Sequence, residues 1–479
     1  MTVLWTAQDA AVATNGRISG DWDGVTGLSI DTRELVPGDM FVALEGITHD
    51  GHVYVRQALD AGAGAALVSH VPDGCEGANL LVVDDTLTAL QALGVAGRAR
   101  AAAKVIGVTG SVGKTSTKEM LRSILAPQGR THAATRSFNN HWGVPLTLAR
   151  MPADTEFAVI EIGMNHAGEI TPLSQMSRPD VALITTVEAV HLEAFDSVEG
   201  IADAKAEIFA GLVPGGAAIL NADNPHFERL STAAQAAKAK ITSFGRASDD
   251  FHLKDVQTSG QATTISADIR GNATLIKLGT PGAHFALNAL GALAAAEAAG
   301  ADIGRAALDL GSWSPPDGRG SHVRLALPDG EILLLDESYN ANPASVGAAL
   351  AVLAASEPGR GPHRPGRRVA FLGDMLELGP TEIALHEGLA GLDAIDRIDK
   401  IHACGSRMKA LHDALPVDKR GVFCADSVQL ADAVEKVVDA GDVCMVKGSL
   451  GAAMRHVVSA LRALGTPLSD SHTSEREDA

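Results

Sequence analysis

A glycine-rich turn between an apolar strand and a helix constrains the fold of this chain more than any other feature. The sequence KVIGVTG supplies the strand, and the turn continues as GSVGKTS over residues 110–116. Glycines let backbone N–H groups approach phosphate oxygens, and the start of the following helix adds partial positive charge. Lys114 and Thr115 stand where an ammonium could reach the terminal phosphates and a hydroxyl could bind magnesium. The pattern predicts a nucleoside triphosphate site on an α/β domain.

The spacing of this turn differs from the usual phosphate-binding pattern. That pattern is G-x-x-x-x-G-K-[ST], and here Val108 stands at the position of its first glycine. A plain strand-to-helix turn is the alternative, but the G-K-T-S run before a helix-forming stretch makes it the weaker one. The base-reading N-K-x-D motif of GTPases is missing, since NADNP at 221–225 lacks the lysine. ATP is therefore the favoured nucleotide.

Short strand and helix patterns alternate along the 479 residues, which predicts an α/β protein of three domains. The expected parts are a small N-terminal α/β domain (1–103), a central ATP-binding domain with a mainly parallel sheet (104–313), a C-terminal Rossmann-like domain (314–464) and a polar, disordered tail (465–479). The third domain has no G-x-G-x-x-G turn, so the sequence does not support a bound dinucleotide.

Composition narrows the possible partners and the compartment. The formal net charge is −19 without any basic run, which argues against nucleic-acid and anionic-membrane partners. Four scattered cysteines are typical of reduced thiols in a cytosolic protein rather than of a metal site or disulfides. Asp9 interrupts any signal-peptide pattern, and the alanine-rich stretch 283–300 contains enough polar residues to predict a packed helix. We expect a cytoplasmic protein without membrane insertion.

Two polar residues stand at the carboxyl ends of strands that follow the glycine-rich turn. Glu161 lies near the end of FAVIEIG, and His191 lies just past VALITTV. Ligands collect at this edge of an open α/β sheet, so both side chains could converge on Thr115. A solvent-facing acid is the alternative for Glu161, but a carboxylate in an apolar strand is costly unless it is paired or metal-bound. We expect a metal ligand at Glu161, and for His191 a surface histidine remains the alternative.

Lys205 is the hardest residue to interpret from its neighbours. In IADAKAEIF, the charged residues Asp203, Lys205 and Glu207 alternate with apolar ones on a predicted helix. The pattern alone predicts a solvated lysine.

Four segments together resemble the Mur ligases, which build the stem peptide of peptidoglycan: VTGSVGKTS, VIEIGMNHAGEI, VHLEAF and AKAEIF. The loop of that family is T-G-[ST]-x-G-K-[ST], which matches Thr109 to Thr115 and accounts for the unusual spacing. The resemblance extends from about residue 27 to 460. It implies a three-domain, monomeric, ATP-dependent amide ligase that works through an acyl phosphate.

Further segments point to one branch of the family. Residues 28–68 are similar to its uridine-nucleotide-binding domain, and NNHWGVPLTL, DESYNANPASV, LGDMLELG and VKGSLGAAM resemble the branch that uses D-alanyl-D-alanine. The implied substrates are UDP-N-acetylmuramoyl-tripeptide, ending in either meso-diaminopimelate or lysine, and D-alanyl-D-alanine. The alternatives are a folate-polyglutamylating ligase of the same fold and a nucleotide-binding protein that ligates nothing.

The resemblance also implies roles for individual residues. The implied catalytic residues are Lys114, His191, Lys205 and Arg319. The implied ATP-binding residues are Thr109, Gly110, Ser111, Val112, Gly113, Lys114, Thr115, Ser116, His284, Asn288, Arg319, Tyr339, Asn340 and Asn342. Two magnesium ions are implied, with Lys205 carbamylated by CO2 and the metal ligands Thr115, Glu161, His191 and Lys205. The candidates for substrate contacts are Asp31, Thr32, Arg33, Asp50, His52, Asn139, Asn140 and Lys447.

Three positions depart from the family pattern. Phe285 replaces the asparagine of G-x-H-N, Glu337 stands where relatives have aspartate, and Leu450 stands where many have arginine. These departures leave the local contacts of the second and third domains open, without touching the residues implied in the chemistry.

Overall fold

A computed structural model describes residues 2–46, 49–190, 193–259, 262–362 and 364–468 of the chain. The chain forms two compact units. The first comprises Met1–Val187, Ala202–His252 and Leu290–Ala307, and the second comprises Glu188–Ile201, Leu253–Ala289 and Leu308–Ala479, each within the described ranges.

Helices and strands alternate through most of both units. The α-helices are α1 (Ala7–Thr14), α2 (Val55–Asp60), α3 (Thr86–Arg100), α4 (Lys114–Leu125), α5 (Gly143–Ala149), α6 (Ile170–Ser177), α7 (Val198–Ala206), α8 (Phe227–Ala236), α9 (His284–Ala298), α10 (Ile303–Asp309), α11 (Pro343–Ala355), α12 (Glu382–Gly388), α13 (Met408–Ala414), α14 (Ser427–Val437) and α15 (Arg455–Ala463). Short 3-10 helices span Gly51–Tyr54, Glu207–Gly211, Leu310–Ser312, Gly379–Thr381, Leu389–Gly391, Asp393–Arg397 and Leu450–Ala452.

The strands follow the same order along the chain. They are β1 (Trp5–Thr6), β2 (Arg17–Ser19), β3 (Gly24–Val25), β4 (Gly27–Ser29), β5 (Asp39–Val42), β6 (Ala65–Val68), β7 (Leu80–Val82), β8 (Lys104–Thr109), β9 (Thr131–Ala133), β10 (Phe157–Glu161), β11 (Val181–Ile184), β12 (Ala217–Asn221), β13 (Lys240–Gly245), β14 (Phe251–Ser259), β15 (Ala262–Ile269), β16 (Asn272–Leu278), β17 (Ser321–Leu327), β18 (Gly330–Glu337), β19 (Arg368–Gly373), β20 (Lys400–Cys404), β21 (Arg420–Cys424), β22 (Val443–Lys447) and β23 (Thr466–Pro467).

The first unit contains two large sheets and the short antiparallel pair β1–β3. The N-terminal sheet has the order β2-β7-β6-β5-β4, in which β4 to β7 are parallel and β2 is an antiparallel edge. Within this unit, the larger sheet runs β14-β13-β12-β11-β8-β10-β9, with parallel neighbours throughout. Its central strands are continuous apolar runs, as expected where helices cover both faces. Because β10 and β11 flank β8, the loops after these three strands leave the same edge side by side.

The second unit is built around a third sheet. Its order is β21-β20-β19-β22-β18-β17-β23, parallel from β21 to β18 and antiparallel at β17 and β23. The same unit contains the antiparallel hairpin β15–β16. Its two-residue turn is Arg270-Gly271, and both residues have positive φ, which suits the right-handed twist of the strands.

The structure confirms the α/β class and the helix predicted in the alanine-rich stretch 283–300. The tail boundary at 465 is wrong, because Thr466 and Pro467 form β23 beside β17, where the strand edge offers hydrogen-bond partners. The antiparallel hairpin at 262–278 was not predicted, and the domain boundaries themselves stay predictions. Within the described ranges, no helix is both long and apolar enough to cross a membrane.

Candidate active site

The glycine-rich loop after β8 adopts a conformation that only glycine accommodates well. Gly110 has φ 145° and Gly113, which caps α4, has φ 86°. A Cβ atom at position 110 would lie 1.9 Å from Thr185 Oγ1. The loop therefore passes so close to the end of β11 that a side chain at Gly110 cannot fit.

Thr185 and its neighbour hold the loop against β11. The Thr185 hydroxyl donates to the Val112 carbonyl at 2.5 Å, and the Ser111 N–H donates to the Thr186 carbonyl at 2.8 Å. Lys114 Nζ donates to the Gly110 carbonyl at 2.6 Å. The sequence did not predict Thr185, because a threonine after an apolar strand has no distinctive pattern. Its role follows from the adjacency of β8 and β11.

A buried cluster of oxygen atoms lies at the start of α4. Thr115 Oγ1 is 3.0 Å from Glu161 Oε2 and donates to this carboxylate, and the Ser137 hydroxyl is 3.0 Å from the same Thr115 oxygen. Asn139 Nδ2 donates to Glu161 Oε1 at 2.9 Å. Glu161 is 2% exposed. The structure thus confirms that Glu161 is buried and meets Thr115, and it adds Ser137, which the sequence did not predict.

This cluster suits a magnesium ion by its chemistry. A carboxylate and a hydroxyl are hard oxygen donors of the kind that Mg2+ prefers, and a buried carboxylate benefits from a cation. Thr115 and Glu161 would hold the ion. His191 lies outside the described residues.

Lys205 is buried in the first unit, contrary to the solvated position that its pattern predicts. It is 2% exposed, and burial, together with the Lys114 ammonium, holds its pKa well below the usual lysine range. The two acids beside it in sequence have ordinary structural roles. Asp203 pairs with Arg229, and Glu207 accepts hydrogen bonds from the N–H groups of Gly168 and Thr171. The charged alternation therefore reflects three different environments rather than one solvated face.

Two candidate substrate residues form an ion pair after β4. The Arg33 guanidinium contacts both oxygens of Asp31, with 2.6 Å between Nη2 and Oδ2, and this contact lowers the pKa of Asp31 to about 2. Arg33 itself is largely exposed, so its remaining N–H groups face solvent, and Thr32 lies between the two.

The candidates Asp50 and His52 lie beyond β5, whose carboxyl end is at the same sheet edge as that of β4. Asp50 Oδ1 accepts from His52 Nδ1 at 2.7 Å, and His52 Nε2 accepts from the Ser69 N–H at 2.9 Å. His52 is buried and both of its ring nitrogens are bonded within the protein. This arrangement favours a supporting role for His52 over direct contact with a substrate.

In the second unit, Arg319, Tyr339, Asn340 and Lys447 come together. The Arg319 guanidinium lies 3.9 Å from the centre of the Tyr339 ring. Lys447 Nζ donates to the Asn340 carbonyl at 3.0 Å and lies 3.4 Å from Glu337 Oε2. Lys447 is buried, and burial lowers its pKa although Glu337 opposes the shift. The longer glutamate at 337 thus still reaches a cation.

At the start of α9, Phe285 stands where the family pattern has an asparagine. Phe285 is buried, with its ring centre 5.2 Å from that of Trp313 and 4.0 Å from that of His284. Position 285 therefore belongs to an aromatic cluster rather than to a hydrogen-bonding group. Burial lowers the pKa of His284, while Asn288 lies one turn further along α9.

Two asparagines among the candidates have structural duties. Asn342 caps α11 by accepting from the Ser345 N–H at 2.9 Å, and Asn140 accepts from the Gly143 N–H at 2.9 Å at the start of α5. Their side-chain oxygens are already engaged. Leu450 is exposed and offers no cation of its own.

Comparison with protein families gives three consecutive matches. Residues 24–106 match the model "Mur ligase family, catalytic domain", residues 108–296 match "Mur ligase middle domain", and residues 319–450 match "Mur ligase, glutamate ligase domain". Together the three matches cover most of the chain between residues 24 and 450.

Similar proteins of known name cover the chain almost end to end. UDP-N-acetylmuramoyl-tripeptide–D-alanyl-D-alanine ligase of Escherichia coli (strain K12) is 37% identical over 94% of this chain and 97% of its own. The ligase of the same name from Bacillus subtilis (strain 168) is 34% identical over 93% and 94%.

Solved structures agree with these relatives. A crystal structure of MurF from Acinetobacter baumannii superposes with a TM-score of 0.82, at 30% identity, over 96% of this chain and 99% of that one. The MurF ligase of Thermotoga maritima in complex with ADP gives 0.73 at 25% identity, over 92% and 98%.

Proposed function

The chain belongs to the Mur ligase family, and we propose that it joins D-alanyl-D-alanine to UDP-N-acetylmuramoyl-tripeptide with ATP as the energy source. The reaction belongs to the synthesis of peptidoglycan precursors. The bacterial relatives and the composition support a cytoplasmic enzyme, and we expect it to act as a monomer.

One observation in the structure supports this function most strongly. The buried Glu161 carboxylate faces the Thr115 hydroxyl at the end of the phosphate-binding loop, and Lys205 lies buried in the same unit near Lys114. A nucleotide-binding scaffold without chemistry has no need to bury a carboxylate and an amine beside its phosphate site. The solved relative with ADP supports the use of ATP.

Magnesium would supply the positive charge that two reacting anions require. Thr115 and Glu161 are the proposed ligands of one ion, and Glu161, His191 and Lys205 are those proposed for a second. Asn139 fixes one Glu161 oxygen, so the carboxylate keeps a single orientation towards Thr115.

We assign an anionic role to Lys205. Burial and the Lys114 ammonium lower the pKa of Lys205, which favours the uncharged, nucleophilic amine over the ammonium compared with an exposed lysine. Attack on CO2 forms an N–C bond and releases a proton, which leaves a carbamate anion. Burial and Lys114 disfavour a cation at this position, and the nearby Lys114 ammonium would instead attract the carbamate anion.

The proposed reaction has two steps. An oxygen of the terminal carboxylate attacks the γ-phosphorus of ATP, and ADP leaves as the acyl phosphate forms. The amine of D-alanyl-D-alanine then attacks the acyl carbon, and phosphate leaves with the oxygen that the carboxylate contributed. The chain contributes positioning and charge neutralisation, chiefly through Lys114 and the backbone N–H groups of residues 110–115.

The other candidates divide into direct and supporting residues. Asp31, Thr32 and Arg33 are proposed to contact the uridine diphosphate part, with Asp50 and His52 shaping the neighbouring loop. Tyr339, Asn340 and Asn342 are proposed near the ribose and phosphates, and Lys447 is proposed to contact the substrate. Arg319 stays a predicted ATP phosphate contact.

A substrate-omission assay tests the proposal. Steady-state release of ADP should require both the UDP-tripeptide and D-alanyl-D-alanine, with a single ligated product. Comparing tripeptides that end in meso-diaminopimelate and in lysine identifies the natural one. ADP release unchanged by either substrate would instead indicate a nucleotide hydrolase, and activity with folate and glutamate would indicate the polyglutamylating alternative.

A further inference from the structure

Lys118 is a buried cation that the proposed chemistry does not use. It lies on α4, one turn after Thr115, and its side chain is 0% exposed. A charged lysine is rarely buried completely unless specific partners compensate for lost water.

Its ammonium group has three acceptors for its three N–H donors. Lys118 Nζ donates to the carbonyl oxygens of Ala134 and Arg136 at 2.7 and 3.1 Å, and it lies 2.9 Å from Glu119 Oε1. Glu119 is also paired with Arg122, through a contact of 2.7 Å. Glu119 therefore has a second cationic partner, whereas both carbonyl contacts come from the Lys118 ammonium group.

The two carbonyls belong to residues 134–139, which we name the Ser137 segment. This segment ends in the residues that touch the proposed metal ligands. Ser137 Oγ is 3.0 Å from Thr115 Oγ1, and Asn139 Nδ2 is 2.9 Å from Glu161 Oε1. The Asn139 carbonyl also accepts from the Gly163 N–H at 2.8 Å.

The same segment also contacts the loop between β4 and β5 of the N-terminal sheet. Arg136 forms an ion pair with Glu34, which directly follows the candidate substrate residues Asp31 and Arg33. The ammonium group of Lys118 therefore fixes the backbone on both sides of residue 135. This part of the chain leads directly into Arg136, which pairs with Glu34, and into Ser137 and Asn139, which contact Thr115 and Glu161.

We infer that Lys118 is a positioning residue, which holds the Ser137 segment so that Ser137 and Asn139 orient Thr115 and Glu161 for the metal ion. The inference rests on the proposed function for the identity of the metal. Partners that orient metal ligands typically change metal affinity or activity by about 10- to 100-fold when they are lost.

The test compares Lys118→Met with two controls on α4. Methionine keeps the length and removes the donors. Glu119→Gln weakens the ion pair but leaves the carbonyl contacts, and Met120→Ala removes a buried apolar side chain from the same helix. The readouts are Mn2+ binding in the presence of ADP, by electron paramagnetic resonance, and hydrogen exchange of the amides of residues 134–140.

Lys118→Met should weaken Mn2+ binding by about tenfold and speed exchange in the Ser137 segment. Both controls should bind Mn2+ within about twofold of wild type, even where Met120→Ala lowers the melting temperature. If Lys118→Met does not fold, Lys118→Gln, which retains N–H donors, should give a smaller shift in the same direction.

Two results would overturn the inference. Wild-type Mn2+ affinity and exchange in Lys118→Met would mean that the segment does not depend on the ammonium group. An equal loss in Glu119→Gln would reduce Lys118 to an ion-pair partner. Neither result contradicts the proposed ligase function, as long as the wild-type protein ligates its substrates. If the wild-type protein bound no Mn2+ in the presence of ADP, the proposed metal site itself would be wrong.

Discussion

At the scale of single residues, two side chains that are proposed to act in the reaction are buried. Lys205 and Glu161 are each 2% exposed, and they differ in what surrounds them. Glu161 accepts hydrogen bonds from Thr115 and Asn139, which stabilise its anionic form. The environment of Lys205 disfavours the ammonium form, since burial and Lys114 both lower its pKa.

Replacement of Lys205 tests whether the side chain works as an anion. Lys205→Arg should be inactive, because a guanidinium stays protonated and cannot form a carbamate. Lys205→Ala should lose about 10²- to 10³-fold in ligation rate. Added short carboxylic acids should restore part of the alanine variant's rate by occupying the anion position. Full activity of Lys205→Arg in the ligation assay would rule out the carbamate.

At the scale of elements, the phosphate-binding loop depends on the contact between β8 and β11. Gly110→Ala should cost at least about 1–3 kcal/mol locally, because alanine strains at φ 145° and its Cβ meets Thr185 Oγ1. We expect ATP affinity, measured by calorimetry, to fall by more than tenfold. Gly107→Ala, on the same strand, is the matched control, since its Cβ would have only ordinary contacts of 3.4 Å or longer. Equal affinities for the two variants would contradict this account of the loop.

The sheet of the second unit contains a buried histidine with a predictable response to acid. His402 Nδ1 accepts from the Val422 N–H, and Nε2 has no partner among the described residues. Burial, with Arg367 and Lys400 nearby, lowers the pKa of His402 to about 4. In the unfolded chain, His402 is protonated below about pH 6.5, whereas in the folded chain it is protonated only below about pH 4. Stability is lost as the pH falls through this window, by up to about 3 kcal/mol from this residue.

His402→Asn should remove much of that loss, because an amide oxygen can still accept from Val422 but does not titrate. Denaturant unfolding at pH 7 and pH 4.5 gives the difference for wild type and variant. His141→Asn, at an exposed histidine, is the control and should leave the wild-type difference unchanged. If His402→Asn lost as much unfolding free energy between pH 7 and pH 4.5 as wild type, other groups would cause the acid sensitivity.

Sequence patterns predicted the elements better than the contacts between them. The loop glycines, Glu161 and α9 follow from local motifs and periodicity. Ser137, Thr185 and Lys118 could not be found this way, because their contacts join residues 16 to 76 positions apart. The burial of Lys205 was also hidden, since a helical pattern does not reveal which charged positions face a neighbouring element.

At the scale of the whole molecule, an acidic chain must manage two anionic substrates. With a net charge of −19, the positive charge that brings a carboxylate to a phosphate has to be supplied locally, and we propose that Lys114 and Mg2+ supply it. Removal of Mg2+ with a chelator should therefore abolish ADP release, and added Mg2+ should restore it. The assay is ADP formation at fixed ATP, and unchanged turnover after chelation would contradict a metal-dependent step.

The central claim is that ATP activates the substrate carboxylate as an acyl phosphate. A UDP-tripeptide whose terminal carboxylate contains ¹⁸O at both oxygens, ligated to D-alanyl-D-alanine, tests it by mass spectrometry of the released phosphate. The mechanism predicts one ¹⁸O atom in each phosphate, because the carboxylate oxygen that attacks phosphorus leaves with it. Unlabelled phosphate formed together with ligated product would contradict the mechanism.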